Sequence, residues 1–267
     1  MTSDIQQTPF VKQLAANGIA EYPPLVKTRA EKMADRPTRD KAVAGLRTYL
    51  SGRRQLSELE WLKLWKGLFF CMWMSDRART QQRLAVDLAG LVDVLPGQNV
   101  IPFLHAFWTT TAREWNGIDV LRMDKFLHLV RTYLAASFRH LRSADWAADV
   151  ARAHATLLSS IPLSPTEVKT PDGLRYHVID IFVTELDHVD TPRSGKAPLE
   201  ILLRPLRELA AKSPTKSVRS RAKEALDDEK LQRWDGPRDS GDAESVVDSP
   251  VATGDVAADA EWHGLDS

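Results

Sequence analysis

The chain has 267 residues, of which 43% are hydrophobic and 27% charged, with 36 basic against 36 acidic side chains. That composition suits a globular chain large enough to bury a core, and it excludes collagenous, wholly disordered and disulfide-rich classes. The one cysteine, Cys71, lies in an apolar run and has no internal partner, no stretch approaches the roughly 18 apolar residues of a membrane span, and Met1-Thr2-Ser3-Asp4 does not open a secretory signal, so the expectation is an intracellular, soluble protein in a reducing compartment with no membrane partner.

In chain order, apolar residues recur at steps of three and four rather than two, which predicts an all-α fold with no significant sheet. Residues 1–7 are expected as a flexible N-terminus. Thr8-Pro9 supplies a cap and a first-turn proline for a short helix over 8–18; a weaker one covers 24–34 and is closed by Pro37. Residues 38–51 present Val43, Leu46 and Leu50 on one face. Ser57 and Glu60 have the spacing of a capping box and open a tryptophan-rich helix. Further helices are predicted over 77–94, 100–115, 120–141, 144–160, 171–188, 198–212 and 215–231, joined by short connections.

Short connections between successive helices suggest a repeat. Trp65 and Trp108, like Asp76 and Asp119, are separated by 43 residues, within the period of roughly 40 to 47 found in HEAT and armadillo repeats. The expectation is therefore a HEAT-like stack of helical pairs over 8–234, α-solenoid-like, with a single irregular bundle as the alternative. Residues 235–267 contain nine acidic residues and one basic, Arg238, leaving 35 basic against 27 acidic in residues 1–234. The tail reads as disordered and acidic for want of apolar surface. The basic body suits a polyanion partner, although a surplus of +8 is also common in proteins that bind none.

The stretch Leu64-Trp65-Lys66-Gly67-Leu68-Phe69-Phe70-Cys71-Met72-Trp73-Met74-Ser75-Asp76 is apolar on every side of a helix, as in a helix that neighbours surround. Trp65, Phe69, Met72 and Trp73 are its expected structural core. Lys66 interrupts the run and is expected to reach solvent by its alkyl stem, to pair with a carboxylate, or to contact RNA or a partner carbonyl. Asp76 and Asp119 are placed to cap the helices that follow them.

Groups that could carry catalysis do not converge in the sequence. Asp124 and His128 stand four apart, yet no second pair completes a metal site, and a solvated helix face explains them better. Asp187-His188 reads as the polar end of a helix. No phosphate loop, dinucleotide fingerprint or nucleophile elbow is present, so the chain is expected to be no enzyme and to take no cofactor, no metal and no small-molecule substrate. Basic stripes are the stronger signal: Lys125, His128, Arg131, Arg139 and Arg142 on the 120–141 helix, Lys212, Lys216, Arg219 and Lys223 near the end of the body, and Arg77, Arg79 and Arg83 after the tryptophan-rich helix. Lys125, Arg131, Arg139, Arg142, Lys212, Lys216, Arg219 and Lys223 are the candidate RNA contacts, since each neutralised phosphate releases condensed counterions. A solvated helix face is the plain alternative for any one stripe.

Several segments together resemble the eukaryotic nucleolar ribosomal-RNA-processing protein 1 family: Phe10-Val11-Lys12-Gln13-Leu14-Ala15, Thr38-Arg39-Asp40-Lys41-Ala42, the 64–76 stretch, Phe107-Trp108, Glu114-Trp115-Asn116-Gly117-Ile118-Asp119, Arg122-Met123-Asp124-Lys125-Phe126, Ile161-Pro162-Leu163-Ser164 and His177-Val178-Ile179-Asp180. The resemblance implies an all-helical, HEAT-like, non-catalytic factor of the nucleus and nucleolus. It would join large-subunit precursors and serve processing towards 5.8S and large-subunit rRNA. Its implied partners are the pre-rRNA of that precursor and other ribosome-assembly proteins, with ribosomal proteins as further candidates. The chain departs from the family in an insertion over 18–36 and in its acidic ending. A helical-repeat protein–protein adaptor without RNA contact is the competing expectation.

Overall fold

The computed structural model describes residues 36–52, 54–191, 195–232 and 234. The chain divides into two units, Met1–Asp235 and Gly236–Ser267, and every described residue belongs to the first. The flexible segment expected at 1–7, the helices expected at 8–18 and 24–34, and the tail 235–267 lie outside the described residues.

The described chain is all-α: α1 (Arg36–Leu50), α2 (Glu58–Trp73), α3 (Ala78–Ala89), α4 (Gly97–Glu114), α5 (Val120–Ser143), α6 (Ala148–Ser160), α7 (Asp172–Val189), α8 (Leu199–Leu202), α9 (Arg204–Lys212), α10 (Lys216–Leu226) and α11 (Glu229–Gln232), with 3-10 turns at Val92–Val94 and Trp115–Gly117 and no strand among the described residues. The capping box forms: the Ser57 backbone N–H donates to Glu60 Oε2 at 2.8 Å and the Glu60 N–H to Ser57 Oγ at 3.4 Å. Asp119 caps α5 through the Arg122 N–H at 3.1 Å. Asp76 does not match it, because Arg77 holds the cap position of α3 and that end has no side-chain cap bond.

Four expected helices are shortened or broken: the 77–94 segment ends as α3 at Ala89, with Gly90 at its cap position and a 3-10 turn following, and three others change for local reasons. Pro205 has no N–H to give the preceding turn, so the 198–212 segment divides into α8 and α9. Asp227 and Asp228 interrupt the 215–231 segment, and Asp228 Oδ1 accepts the Lys230 N–H at 2.8 Å, which competes with helical bonding. Between α5 and α6, Asp145 and Trp146 both adopt positive φ, 50° and 59°. That conformation is unfavourable for a bulky residue, and here it is held by burial of the indole and by a bond from the Trp146 N–H to the Leu141 carbonyl at 2.9 Å.

Helices pack chiefly on their second neighbours in sequence. In one row α2 lies on α4, α4 on α6, and α6 on α8 and α9; in the other α3 lies on α5, α5 on α7, and α7 on α10. Two rows built from successive helical pairs make a HEAT-like stack. Because α5 has α3 and α7 on its flanks and α2 and α6 behind, it is buried over most of its circumference. An aromatic cluster joins the rows: the Trp65 ring lies 5.2 Å from Phe103, 4.8 Å from Phe107 and 4.9 Å from Tyr133, and Phe107 stacks on Tyr133 at 4.2 Å. The Tyr133 hydroxyl donates to the Leu88 carbonyl at 2.5 Å, and burial pushes its pKa well up.

Candidate nucleic-acid and partner interface

Of the tryptophan-rich helix, Trp65, Phe69 and Met72 are buried, and Phe69 stacks on Phe126 of α5 at 4.5 Å. Trp73 departs from the expected core set: it is half-buried at the helix end, with one face towards Phe69 and Phe126 and the Arg122 guanidinium 4.9 Å from the ring centroid.

The α5 stripe divides: Lys125 is buried, whereas Arg131, Arg139 and Arg142 are exposed, Arg131 and Arg142 with hydrogen bonds to α7. Lys125 is only 5% exposed, and its ammonium donates to the carbonyls of Trp73 and Ser75, each at 2.7 Å. Desolvation and the neighbouring Arg122 lower its pKa to about 8. The expectation that Lys125 faces phosphate is therefore corrected: its alkyl stem crosses buried ground and its charge caps α2. Arg131 Nε donates to the buried Glu185 Oε1 of α7 at 2.5 Å, and Arg142 Nη1 donates to the Val189 carbonyl at 2.8 Å. Both are clamps between α5 and α7. His128 is half-buried, and burial followed by Arg131 holds its pKa below the usual value. Arg139 is exposed.

At the other end of the stack, Lys212, Lys216 and Lys223 are exposed on α9 and α10. Arg219 donates to the Ser213 and Pro214 carbonyls at 2.7 and 2.8 Å, bracing the α9–α10 turn. Lys212, Lys216 and Arg219 thus come together at that turn, whereas Arg139 stands near the carboxyl end of α5, the end away from Asp119. Two cations outside the candidate set have comparable structural roles. Arg221 pairs with Asp180 of α7 at 2.6 Å and covers the Tyr176 ring, while buried Arg175 donates to the carbonyls of Ser164, Glu167 and Thr170 and to Asp172. Only the local spacing of Asp172 and Arg175 hints at this in sequence.

For metal chemistry, Asp124 is exposed beside half-buried His128, and among the described residues no three His, Cys, Asp or Glu side chains gather where they would hold an ion. No described helix is long and apolar enough to cross a membrane.

A two-row stack in which Lys125, Arg131, Arg142 and Arg221 tie helix to helix defines a helical-repeat protein. Residues 20–262 match the family described as nucleolar protein Nop52, and the chain belongs to that nuclear, nucleolar family. It is similar to the ribosomal RNA processing protein 1 homolog B of Mus musculus, 39% identical over 168 residues that cover 60% of this chain and 23% of that protein. Homolog A of Homo sapiens is 38% identical over 179 residues, 63% of this chain and 38% of that protein, and the Drosophila melanogaster homolog 31% identical over 207 residues, 75% and 27%. The chain spans well under half the length of these relatives.

Proposed function

We propose that the chain is a non-enzymatic assembly factor in ribosomal RNA processing, a scaffold that holds pre-rRNA of the large-subunit precursor together with other assembly proteins. Membership of the nucleolar Nop52 family carries the reading, and the names of the relatives supply the process. The deployment of charge supports a scaffold. Lys125, Arg131, Arg142, Arg175 and Arg219 each fix one helix or turn to another rather than converging on a pocket, and rigid placement is what a scaffold needs. RNA contact then falls to the exposed cations Lys212, Lys216 and Lys223, with Arg139 as a separate point; no cofactor and no small-molecule substrate enters.

The protein-only adaptor gains from one observation, the burial of Lys125 and the engagement of Arg131 and Arg142 with α7, which leaves Arg139 as the one α5 candidate with no bond shown among the described residues. Depletion of the chain from cells, followed by sedimentation and probing of precursor RNA, tests the main reading. Accumulation of unprocessed large-subunit precursor is expected, with rescue by the wild-type chain. Normal large-subunit processing, or loss confined to small-subunit precursors, contradicts it.

A further inference from the structure

Among the described residues α2 packs chiefly on α4, then on α3 and α5, and its side chains divide accordingly. At about 100° per residue, Trp61, Leu64, Trp65, Leu68 and Met72 share the buried side, where Trp61 and Trp65 lie 5.6 and 5.2 Å from Phe103 of α4. Leu59, Leu62 and Phe70, with Lys66 among them, fall at steps of three and four on the other side. Leu59 is 60% exposed, Leu62 and Phe70 are half-buried, and Lys63 is exposed beside them. In α4, which has α2 on one flank and α6 on the other, Phe103, Leu104, Phe107 and Trp108 are all buried. The outer strip of α2 is thus what the end of a helical stack presents before a further element covers it.

Chain order says which segment that is. Helices of one row are second neighbours in sequence, so the place beside α2, away from α4, falls to chain that precedes α1. Residues 1–35 precede it and lie outside the described residues, and two stretches there have a helical pattern. Over 8–18, Phe10, Val11, Leu14 and Ala15 share one strip, and Lys12 and Gln13 fall off it. Over 24–34, Arg29 falls between Leu25 and Met33 within the apolar strip and would meet Lys63 with like charge. Asp35 alone separates that stretch from α1, less than the two to eight residues that usually join packed helices. Residues 19–35 can span up to roughly 55 Å, more than twice the length of α1, about 22 Å. Charge and reach both select 8–18.

We propose that residues 8–18 dock as a helix on the outer strip of α2, with Phe10 and Leu14 against Leu59, Leu62 and Phe70, and close that end of the row. Residues 19–35 then serve as a strap from this helix to α1. The α2 strip becomes an internal docking face, which leaves contacts with other molecules to the rest of the stack. The inference holds whether or not the chain binds RNA.

The test places the photocrosslinker p-benzoylphenylalanine at Phe70 of the purified full chain, with the same probe at Arg152, exposed on α6, as the control. Isotope-labelled and unlabelled chains are mixed, so that mass spectrometry separates adducts within one chain from adducts between two. Irradiation should join position 70 to residues 8–18 of the same chain, at a yield at least five-fold above that from position 152. Phe10→Asp with Leu14→Asp should lower the yield at least five-fold, and Lys12→Asp, off the apolar strip, should leave it within two-fold of the unsubstituted chain. The described helices keep their own buried core in both variants, so their helical signal should persist. An adduct to residues 24–34 or to a second copy in place of 8–18, a yield no higher than from position 152, or a yield indifferent to the double substitution overturns the proposal. So does an equal loss with Lys12→Asp, which would show that no one face of the segment docks.

Discussion

The ammonium of Lys125 on α5 donates to the carbonyl of Ser75 at 2.7 Å, so a side chain from the next helical pair closes the α2–α3 turn. The last carbonyls of a helix lack intrahelical partners, and a cation there also meets the negative end of the helix dipole. Lys125→Met keeps the alkyl packing and leaves two buried carbonyls without a donor. It should lower stability by about 2 kcal/mol, measured by urea denaturation, with no change in the salt dependence of RNA binding.

The same contact predicts a stability gain in mild alkali. Lys125 in the folded chain releases its proton near pH 8, against an ordinary value of 10.5. Between those values the unfolded chain binds more protons, so stability rises with pH from about 8 to 10. Above pH 10 the buried Tyr133, whose folded pKa is raised, reverses the trend because the unfolded chain ionises first. Chemical denaturation at pH 7.5 and 9.5 should show a gain of about 1 to 2 kcal/mol that is absent in Lys125→Met.

His154 supplies a trend of the same sign in acid. It is buried beside His140, with ring centroids 5.4 Å apart, and burial, reinforced by the neighbouring imidazole, lowers its pKa to about 3. The unfolded chain takes up this proton below about pH 6.5 while the folded chain does not, so stability falls as pH drops from there towards 3. His154→Leu should reduce the slope by up to about 1.4 kcal/mol per pH unit, read from denaturation midpoints between pH 6.5 and 4.5.

Much of the stack was legible in sequence because caps and three-to-four periodicity are local signals. The Ser57–Glu60 box, the Asp119 cap and the buried positions Trp65, Phe69 and Met72 all follow from residues within a turn or two. The site was less legible because burial on α5 depends on which helices lie beside it. Lys125 reads as surface when only its own helix is counted, and α2 makes it interior. Arg131 and Arg142 read as free cations until Glu185 and Val189 of α7 come alongside, some 47 to 54 residues away in sequence. The break at Asp145-Trp146 was missed because left-handed backbone at a tryptophan has no common sequence signature.

Two tryptophans on α2 should differ in weight. Trp65 lies inside the aromatic cluster with Phe103, Phe107 and Tyr133, and Trp65→Ala should destabilise the fold by about 3 to 5 kcal/mol. Trp73 is half-buried beneath Arg122, so Trp73→Ala removes less buried area and should cost about 2 kcal/mol. Thermal and urea denaturation of the two variants, measured side by side, check the order.

The scaffold account is tested most directly by the salt dependence of binding to a fragment of large-subunit precursor RNA. The logarithm of the wild-type binding constant should fall linearly with the logarithm of salt concentration. Replacing Lys212, Lys216 and Lys223 together by glutamate should make that slope shallower by about 2 to 3 while leaving helical content and the denaturation midpoint unchanged, since all three side chains are exposed. Negligible RNA binding by the wild-type chain, or a slope indifferent to the three substitutions, would contradict the account and favour the protein-only adaptor or a contact surface elsewhere on the stack.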